Sequence, residues 1–186
     1  VINGSLNLQG VMAVSMTRSF NTPTSVQIDL NNMAGRRSGT IREGDTVQIY
    51  ASPRTWANPP LVFTGFVSDI METSQVIQIM CLDSMGWLER ETIKSELTYF
   101  QADAASVIRD IVANSAYSPP IGRLLAQTFV ILPAGMSFKN KTRLKAIQSI
   151  LNLINSTPNK VSLYADEKGV LNLVRDPYPQ VPPVGL

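Results

Sequence analysis

Apolar and polar residues alternate with a period of two through much of residues 1–90, a pattern typical of β strands with one wet face. Val26, Ile28 and Leu30, for example, are each separated by one polar residue. The alternation and the turn residues between the apolar runs predict four strands, within residues 24–32, 44–52, 61–72 and 74–83. Several short strands at this spacing favour a small sandwich or barrel.

The third predicted strand contains a glycine, Gly65, with apolar residues on both sides. A glycine inside a strand is typical of a bulge or a sharp bend. Closing a small barrel needs such bends, because each strand must curl to stay paired with both neighbours. We therefore expect a β-barrel whose third strand bends at Gly65; the alternative is a plain strand end.

Both faces of the fourth predicted strand are largely apolar. Cys81 shares one face with two isoleucines, and Val76, Met80 and Leu82 lie on the other face with Gln78. We expect both faces of this strand to be covered. Cys81 is then a buried structural thiol rather than a reactive one.

Residues 91–160 change to the period of an amphipathic helix. Two stripes have this spacing: Ala104, Val107, Ile108, Ile111 and Val112, and Leu144, Ile147, Ile150, Leu151 and Ile154. Asp103 is placed to cap the first helix, and Thr142 or Asn140 to cap the second. Because such stripes usually face a protein's own core, we expect both helices to pack inside one α+β domain.

Two alternating runs near the C-terminal end, residues 161–165 and 171–174, flank a turn that ends in Gly169. This arrangement predicts a β-hairpin. Four prolines follow in residues 177–186, and they favour an extended arm or linker.

The predicted fold class is therefore α+β and mainly β. The predicted parts are a small β-barrel domain at residues 1–90, an α+β domain with two helices and a hairpin at residues 91–176, and a proline-rich arm at residues 177–186.

The composition narrows the possible functions. Only 16% of the 186 residues are charged, which suits a subunit whose surface is covered by partners, since permanent interfaces are poor in charge. The formal net charge of +2 is too small to favour nucleic acid. The absence of histidine excludes His-dependent triads and most zinc sites, and the single cysteine excludes an internal disulfide. No apolar run is long enough to span a membrane.

Four carboxylates stand in close pairs, Asp69 with Glu72 and Glu89 with Glu91. A carboxylate pair across a cleft could hydrolyse a cell-wall glycan, which makes a carboxylate-dependent cell-wall hydrolase one alternative function. The preferred interpretation of these four residues is solvated charge. We predict no catalytic, cofactor-binding or metal-binding residue.

A second alternative function is nucleic-acid binding by the barrel. Arg36 and Arg37 lie between two glycines in a predicted loop, and Trp56 lies in a proline-rich loop. Arginines can bind phosphates and tryptophan can stack on bases. Two arginines on a loop are more often a surface or interface feature, so we expect no specific nucleic acid.

The order of the motifs resembles the hub proteins of phage tails, the baseplate hub or late-control D-like family. The matching segments are IREGDTVQIY, LVFTGFVSDI, VIQIMCLDSMGWLER, the helix from Asp103 to Ile111 and the hairpin SLYADEKGVLNLV. The resemblance extends over most of residues 10–176. Each motif is weak alone, but their order is more specific.

This resemblance implies a structural virion component without catalysis. Hub proteins of this family are similar to the heads of type VI secretion spikes, assemble as trimers and link the tail tube to a central spike or tip. The implied partners are copies of the same chain, the tail tube protein, the spike or tip protein and the tape-measure protein. The implied location is the virion tail or baseplate, after assembly in the host cytoplasm.

A full hub usually carries two tube-like barrels, and the second follows the hairpin. The sequence reaches Leu186 without such a barrel. Either the second barrel lies outside this sequence, or the chain is a reduced hub with another stoichiometry.

Overall fold

A computed structural model of the chain describes residues 2, 10–32, 39–51, 58–124, 128, 130–156 and 160–175. The chain divides into two compact units. The first comprises Val1–Ser19, Pro23–Ser84 and Ala165–Gly169, and the second comprises Phe20–Thr22, Met85–Tyr164 and Val170–Leu186. Two short segments therefore group with a unit other than the one expected from their place in the sequence. The predicted division into three domains stays a prediction.

Five strands build the first unit: β1 (Val11–Thr17), β2 (Ser25–Asn31), β3 (Thr46–Tyr50), β4 (Leu61–Glu72) and β5 (Val76–Leu82). They form one antiparallel sheet in the order β1-β2-β5-β4-β3. Strands β2 to β5 lie within the four segments that the alternation predicted. β1 was not predicted as a strand.

One face of this sheet carries the hydrophobic core of the first unit. Val26 of β2 lies opposite Cys81 of β5, and Ile28 lies opposite Ile79, so that the apolar residues of both strands meet on one side. The same cluster includes Ile2, Leu30, Ile41, Val47, Phe63, Val67 and Ile77. Burial of such side chains contributes roughly 25 cal/mol per Å² of apolar surface, which holds the sheet in its curled form.

The sheet curls into a half-barrel, and the chain is α+β and mainly β, as predicted. Among the described strands, the two edge strands β1 and β3 do not pair with each other. Full closure of the barrel, which the sequence led us to expect, is therefore not found in this part of the chain.

Gly65 has a different role from the predicted one. It pairs with Val47 in regular register, and the register shift of β4 against β5 lies between Val67 and Asp69. A Cβ atom on Gly65 would lie 2.2 Å from the carbonyl oxygen of Leu82 and 2.5 Å from the ring of Phe63. The position therefore excludes a side chain because other atoms approach it closely. The register shifts of β4 lie on either side of it, against β3 between Leu61 and Phe63 and against β5 between Val67 and Asp69.

The two faces of β5 differ in burial. Ile77, Ile79 and Cys81 are fully buried, whereas the residues between them are only half-buried. Both faces are therefore covered, one completely and the other in part.

The remaining elements follow in chain order: α1 (Ser84–Arg90), β6 (Leu97–Tyr99), α2 (Ala104–Ala113), β7 (Ile121–Leu124), β8 (Met136–Phe138), α3 (Arg143–Asn155), β9 (Val161–Ala165) and β10 (Leu171–Arg175). β6 pairs with β8, and β7, β10 and β9 form a three-stranded sheet in that order. Helices α2 and α3 pack against each other in the second unit. Their predicted apolar stripes are buried, which confirms both amphipathic helices.

Side chains cap the N-termini of both helices. Asp103 accepts a hydrogen bond from the amide of Ala105, and Thr142 accepts one from the amide of Lys145. The prediction for Asp103 is confirmed, and Thr142 rather than Asn140 caps α3. These bonds satisfy amides that have no partner within their own helix.

The predicted hairpin is formed by β9 and β10, with Gly169 in the left-handed conformation at its turn. β7 was not predicted. It runs parallel to β10, with Ile121 opposite Leu171. The arm at residues 177–186 lies outside the described residues, so its predicted form stays a prediction.

Candidate interaction surfaces

The first candidate surface is the edge strand β1. All seven of its residues are exposed, and none of them is charged. An edge strand presents unpaired N–H and C=O groups, and proteins usually protect such edges with charges, prolines or short strands. A seven-residue edge without such protection is suited to pairing with another strand.

The side chains of β1 show which face of the sheet it extends. Val14 lies opposite Ile28 and Met16 lies opposite Val26, so these two residues are on the same side as the buried core. Both are nevertheless exposed. The apolar face of the sheet therefore continues past its own core onto an uncovered strand.

The other edge of the sheet is different. Val47 of β3 forms a bridge with Ile2, which is fully buried. Part of the β3 edge is thus occupied by Ile2. Of the two edges, β1 is the one with an uncovered length of backbone among the described residues.

The opposite face of the sheet is polar beside β1. Asp29 accepts hydrogen bonds at 3.1 Å from the side-chain amides of both Gln27 and Gln78. Ala13 and Ser15 of β1 lie opposite Asp29 and Gln27. This side therefore carries amides, small residues and one carboxylate, in contrast with the apolar side.

The four carboxylates of the hydrolase alternative are not arranged as an acid–base pair. Asp69 accepts a hydrogen bond from the adjacent Ile70 amide, and Glu72 accepts one from the amide of Gly39. Glu89 is exposed at the end of α1, and Glu91 is part of a structural cluster. Asp69, Glu72 and Glu89 are exposed, which agrees with the interpretation as solvated charge, whereas Glu91 is partly buried in an ion pair and does not fit it.

Glu91 joins three segments of the second unit. Its carboxylate accepts hydrogen bonds from the hydroxyl of Ser115 at 2.5 Å and from the amide of Ala116 at 3.0 Å. The Nε atom of Arg143 forms an ion pair with it at 2.8 Å. Partial burial acts to raise the pKa of Glu91, but the bonds from Ser115, Arg143 and Ala116 outweigh it and the pKa is lowered.

Arg143 also binds the C-terminal end of α2. Its guanidinium donates to the carbonyl oxygens of Ile111, at 2.9 Å, and Asn114. Those carbonyls have no partners within the helix, and a cation is favourable at a helix C-terminus. The cluster therefore fixes the loop that follows α2 against the start of α3.

The second candidate surface is an aromatic pair that this loop presents. The rings of Trp87 and Tyr117 stack with centroids 4.2 Å apart and planes 17° apart. Tyr117 is 52% exposed, while Trp87 is half-buried. The sequence did not indicate this contact, because its two residues are thirty positions apart and no periodicity connects them.

Cys81 is fully buried, and burial raises the pKa of its thiol to about 12, as expected for an unreactive cysteine. Among the described residues, no group of three or more carboxylates and thiols is placed to hold a metal ion. Nor is any helix in this part of the chain long and apolar enough to cross a membrane. Arg36, Arg37 and Trp56, the residues of the nucleic-acid alternative, lie outside the described residues.

The fold is that of phage tail proteins. Two similar structures are a 43 kDa tail protein of prophage MuSo2 from Shewanella oneidensis (TM-score 0.59) and a tail protein from Neisseria meningitidis MC58 (TM-score 0.56), each 13% identical. The alignments include 90% and 89% of this chain, respectively, and 50% of each of those two proteins.

A third similar structure is the Escherichia coli c3393 protein, with a TM-score of 0.64 and 9% identity over 93% of this chain. That protein is described as a component of the type VI secretion system with structural similarity to the T4 bacteriophage tail proteins gp27 and gp5. This chain spans 47% of it, and thus about half the length of all three proteins. Comparison of the sequence with protein-family models and with curated proteins gave no match.

These likenesses confirm, for the fold, the resemblance to phage tail and type VI spike proteins that the motif order indicated.

Proposed function

We propose that this chain is a hub subunit that links the tail tube to the central spike or tip of a phage tail or baseplate, and that it acts by shape rather than by catalysis. The observation that carries this proposal is the uncovered edge strand β1, with its apolar side continuous with the core of the half-barrel. The fold of the three similar structures supports it.

The proposed partners follow from that edge. A copy of the same chain would pair its own sheet with β1 and cover Val14 and Met16, so that neighbouring half-barrels continue one another. A trimer is the favoured assembly, and the tube protein, the spike or tip protein and the tape-measure protein are the other proposed neighbours. The proposed location is the virion tail, after assembly in the host cytoplasm.

Assembly can be tested with the purified chain, alone and co-expressed with the tail tube and spike proteins of the same phage or prophage. Size-exclusion chromatography with light scattering should give a stable complex whose mass is a multiple of the 20.4 kDa chain or includes a partner. A monomer under every condition, including co-expression, would contradict the proposal. Hydrolysis of purified cell wall by the chain would contradict the non-catalytic part of it.

A further inference from the structure

The aromatic pair, Trp87 and Tyr117, is held in place more firmly than an ordinary surface loop. Ser118 has a positive φ of 40°, which is unfavourable for a serine. The loop keeps this conformation because several bonds fix it: the amide of Ser118 donates to the carbonyl of Ser115, and the amide of Ala116 donates to Glu91. A loop that is fixed by such bonds and displays an aromatic ring is a pre-organised recognition surface.

The chemistry of this surface fits a proline-rich segment. Grooves lined with aromatic residues bind proline-rich segments, whose polyproline II helix loses little entropy on binding. The flat ring of a proline packs on the face of a tyrosine or tryptophan. Such a segment is present in this chain: residues 177–186, which contain Pro177, Pro179, Pro182 and Pro183.

The strand that leads to that segment lies beside the strand that follows the loop of Tyr117. The arm follows β10, and β10 lies beside β7, the strand that begins four residues after Tyr117. The amide of Leu171 donates to the carbonyl of Pro120, within the same loop region. The beginning of β10 and the end of the loop that carries Tyr117 are therefore neighbours in the second unit.

The length of the arm is sufficient for it to return. β10 runs away from the aromatic pair, and its five residues from Leu171 to Arg175 cover about 13 Å. Ten residues of polyproline II span about 31 Å. Asp176 precedes Pro177, and Asp-Pro dipeptides favour the start of a turn. With a turn at this point, ten residues are long enough to span the distance back to the loop of Tyr117.

We propose that the Trp87–Tyr117 pair is a docking site for the proline-rich arm, residues 177–186, of the same chain. In the docked form, the arm covers the exposed face of Tyr117. This inference does not depend on the proposed hub function, because it concerns only contacts within the second unit.

The test uses the full chain and the fluorescence of Trp87. Since the chain has two tryptophans, Trp56→Phe leaves Trp87 as the only reporter. In this background, replacing the four prolines of the arm by serine should shift the Trp87 emission to longer wavelength, because water replaces the arm. A synthetic peptide with the sequence of residues 176–186 should reverse the shift when it is added to this variant. A peptide with serine at the four positions should not.

Substitutions in the aromatic pair then assign the site. Tyr117→Ala should abolish the response to the peptide, and Tyr117→Phe, which keeps the ring, should retain it. Phe100→Ala is the control, because Phe100 is an exposed aromatic residue of the same unit that is not in the pair. Far-ultraviolet circular dichroism and the melting temperature establish that each variant is folded.

Three outcomes would overturn the proposal. One is an unchanged Trp87 emission in the serine variant together with no response to the peptide at millimolar concentration, the range of a short tether's effective concentration. Another is an equal response of the Tyr117→Ala variant. The third is a Trp87 emission that depends on protein concentration in the protein that keeps its four arm prolines. That result would show that the arm binds a second copy of the chain.

Discussion

Single residues in this protein are constrained most strongly where chain segments that are distant in sequence meet. Gly65 is the clearest example, since its place in the strand pattern suggested a bend while the structure shows a close approach of Leu82 and Phe63. Glu91 is another, because the sequence showed only a carboxylate next to Glu89. Its partners, Ser115 and Arg143, are 24 and 52 residues away (91 to 115 and 91 to 143), and no local pattern could identify them.

At Gly65 we predict that alanine destabilises the first unit. The new methyl group must displace the Leu82 carbonyl or the Phe63 ring, and overpacking of this kind costs about 1–3 kcal/mol. Urea unfolding measures the change in the free energy of unfolding. The matched control is Met71→Ala in the same strand, where the side chain is exposed and the expected change is within ~0.5 kcal/mol. Equal stability of the two variants would contradict the close approach.

At Glu91 we predict a contribution to stability that depends on pH. The folded protein lowers the pKa of Glu91, so this contribution is present above the unfolded value, about 4.3, and is lost as the pH falls through the lower folded value. Glu91→Gln should reduce the stability at neutral pH and narrow the difference between neutral and acid pH. Glu89→Gln, an exposed neighbour, is the control, and urea unfolding at neutral pH and near pH 3 measures both. Identical pH dependence in the two variants would refute this role.

Elements with a strong local period could be predicted from the sequence, and those defined by distant pairing could not. α2, α3 and β2 to β5 each bury the stripe or alternation that revealed them. β1 lacks a regular alternation of apolar and polar residues. Its residues are all exposed, and apolar residues lie on both sides of the strand. β7 has four residues and includes Gly122, and only its pairing with β10 makes it a strand. The first candidate surface, strand β1, could therefore not be predicted from the alternation of apolar and polar residues.

The two helix caps should differ in strength. Asp103 caps α2 and also accepts bonds from the amide and the hydroxyl of Thr128, whereas Thr142 caps α3 by one bond. Loss of a cap costs about 1 kcal/mol, and loss of further bonds to a charged group adds to this. We expect Asp103→Ala to lower the free energy of unfolding by about 2 kcal/mol and Thr142→Ala by about half as much. Denaturant unfolding compares them, and a larger effect of Thr142→Ala would contradict the bonding pattern.

At the scale of the whole molecule, the low charge and the uncovered edge point to the same property. A chain with 16% charged residues and an uncharged seven-residue edge strand would be prone to uncontrolled association if that edge had no specific partner. The half-barrel is a single sheet with one apolar and one polar face. The buried core on the apolar face includes residues of β2 but none of β1. A partner strand beside β1 would extend the core without any change in the fold.

This geometry leads to a prediction that separates assembly from folding. Val14→Lys places a charge on the apolar side of β1, where a partner sheet would bury it, and should weaken self-association or binding to the tube protein at least tenfold, about 1.4 kcal/mol. Ser15→Lys, on the polar side of the same strand, should have a much smaller effect. Because both positions are exposed, both variants should keep the parent melting temperature. Light scattering as a function of concentration measures association, and a Val14→Lys variant that assembles like the parent would rule out β1 as the contact.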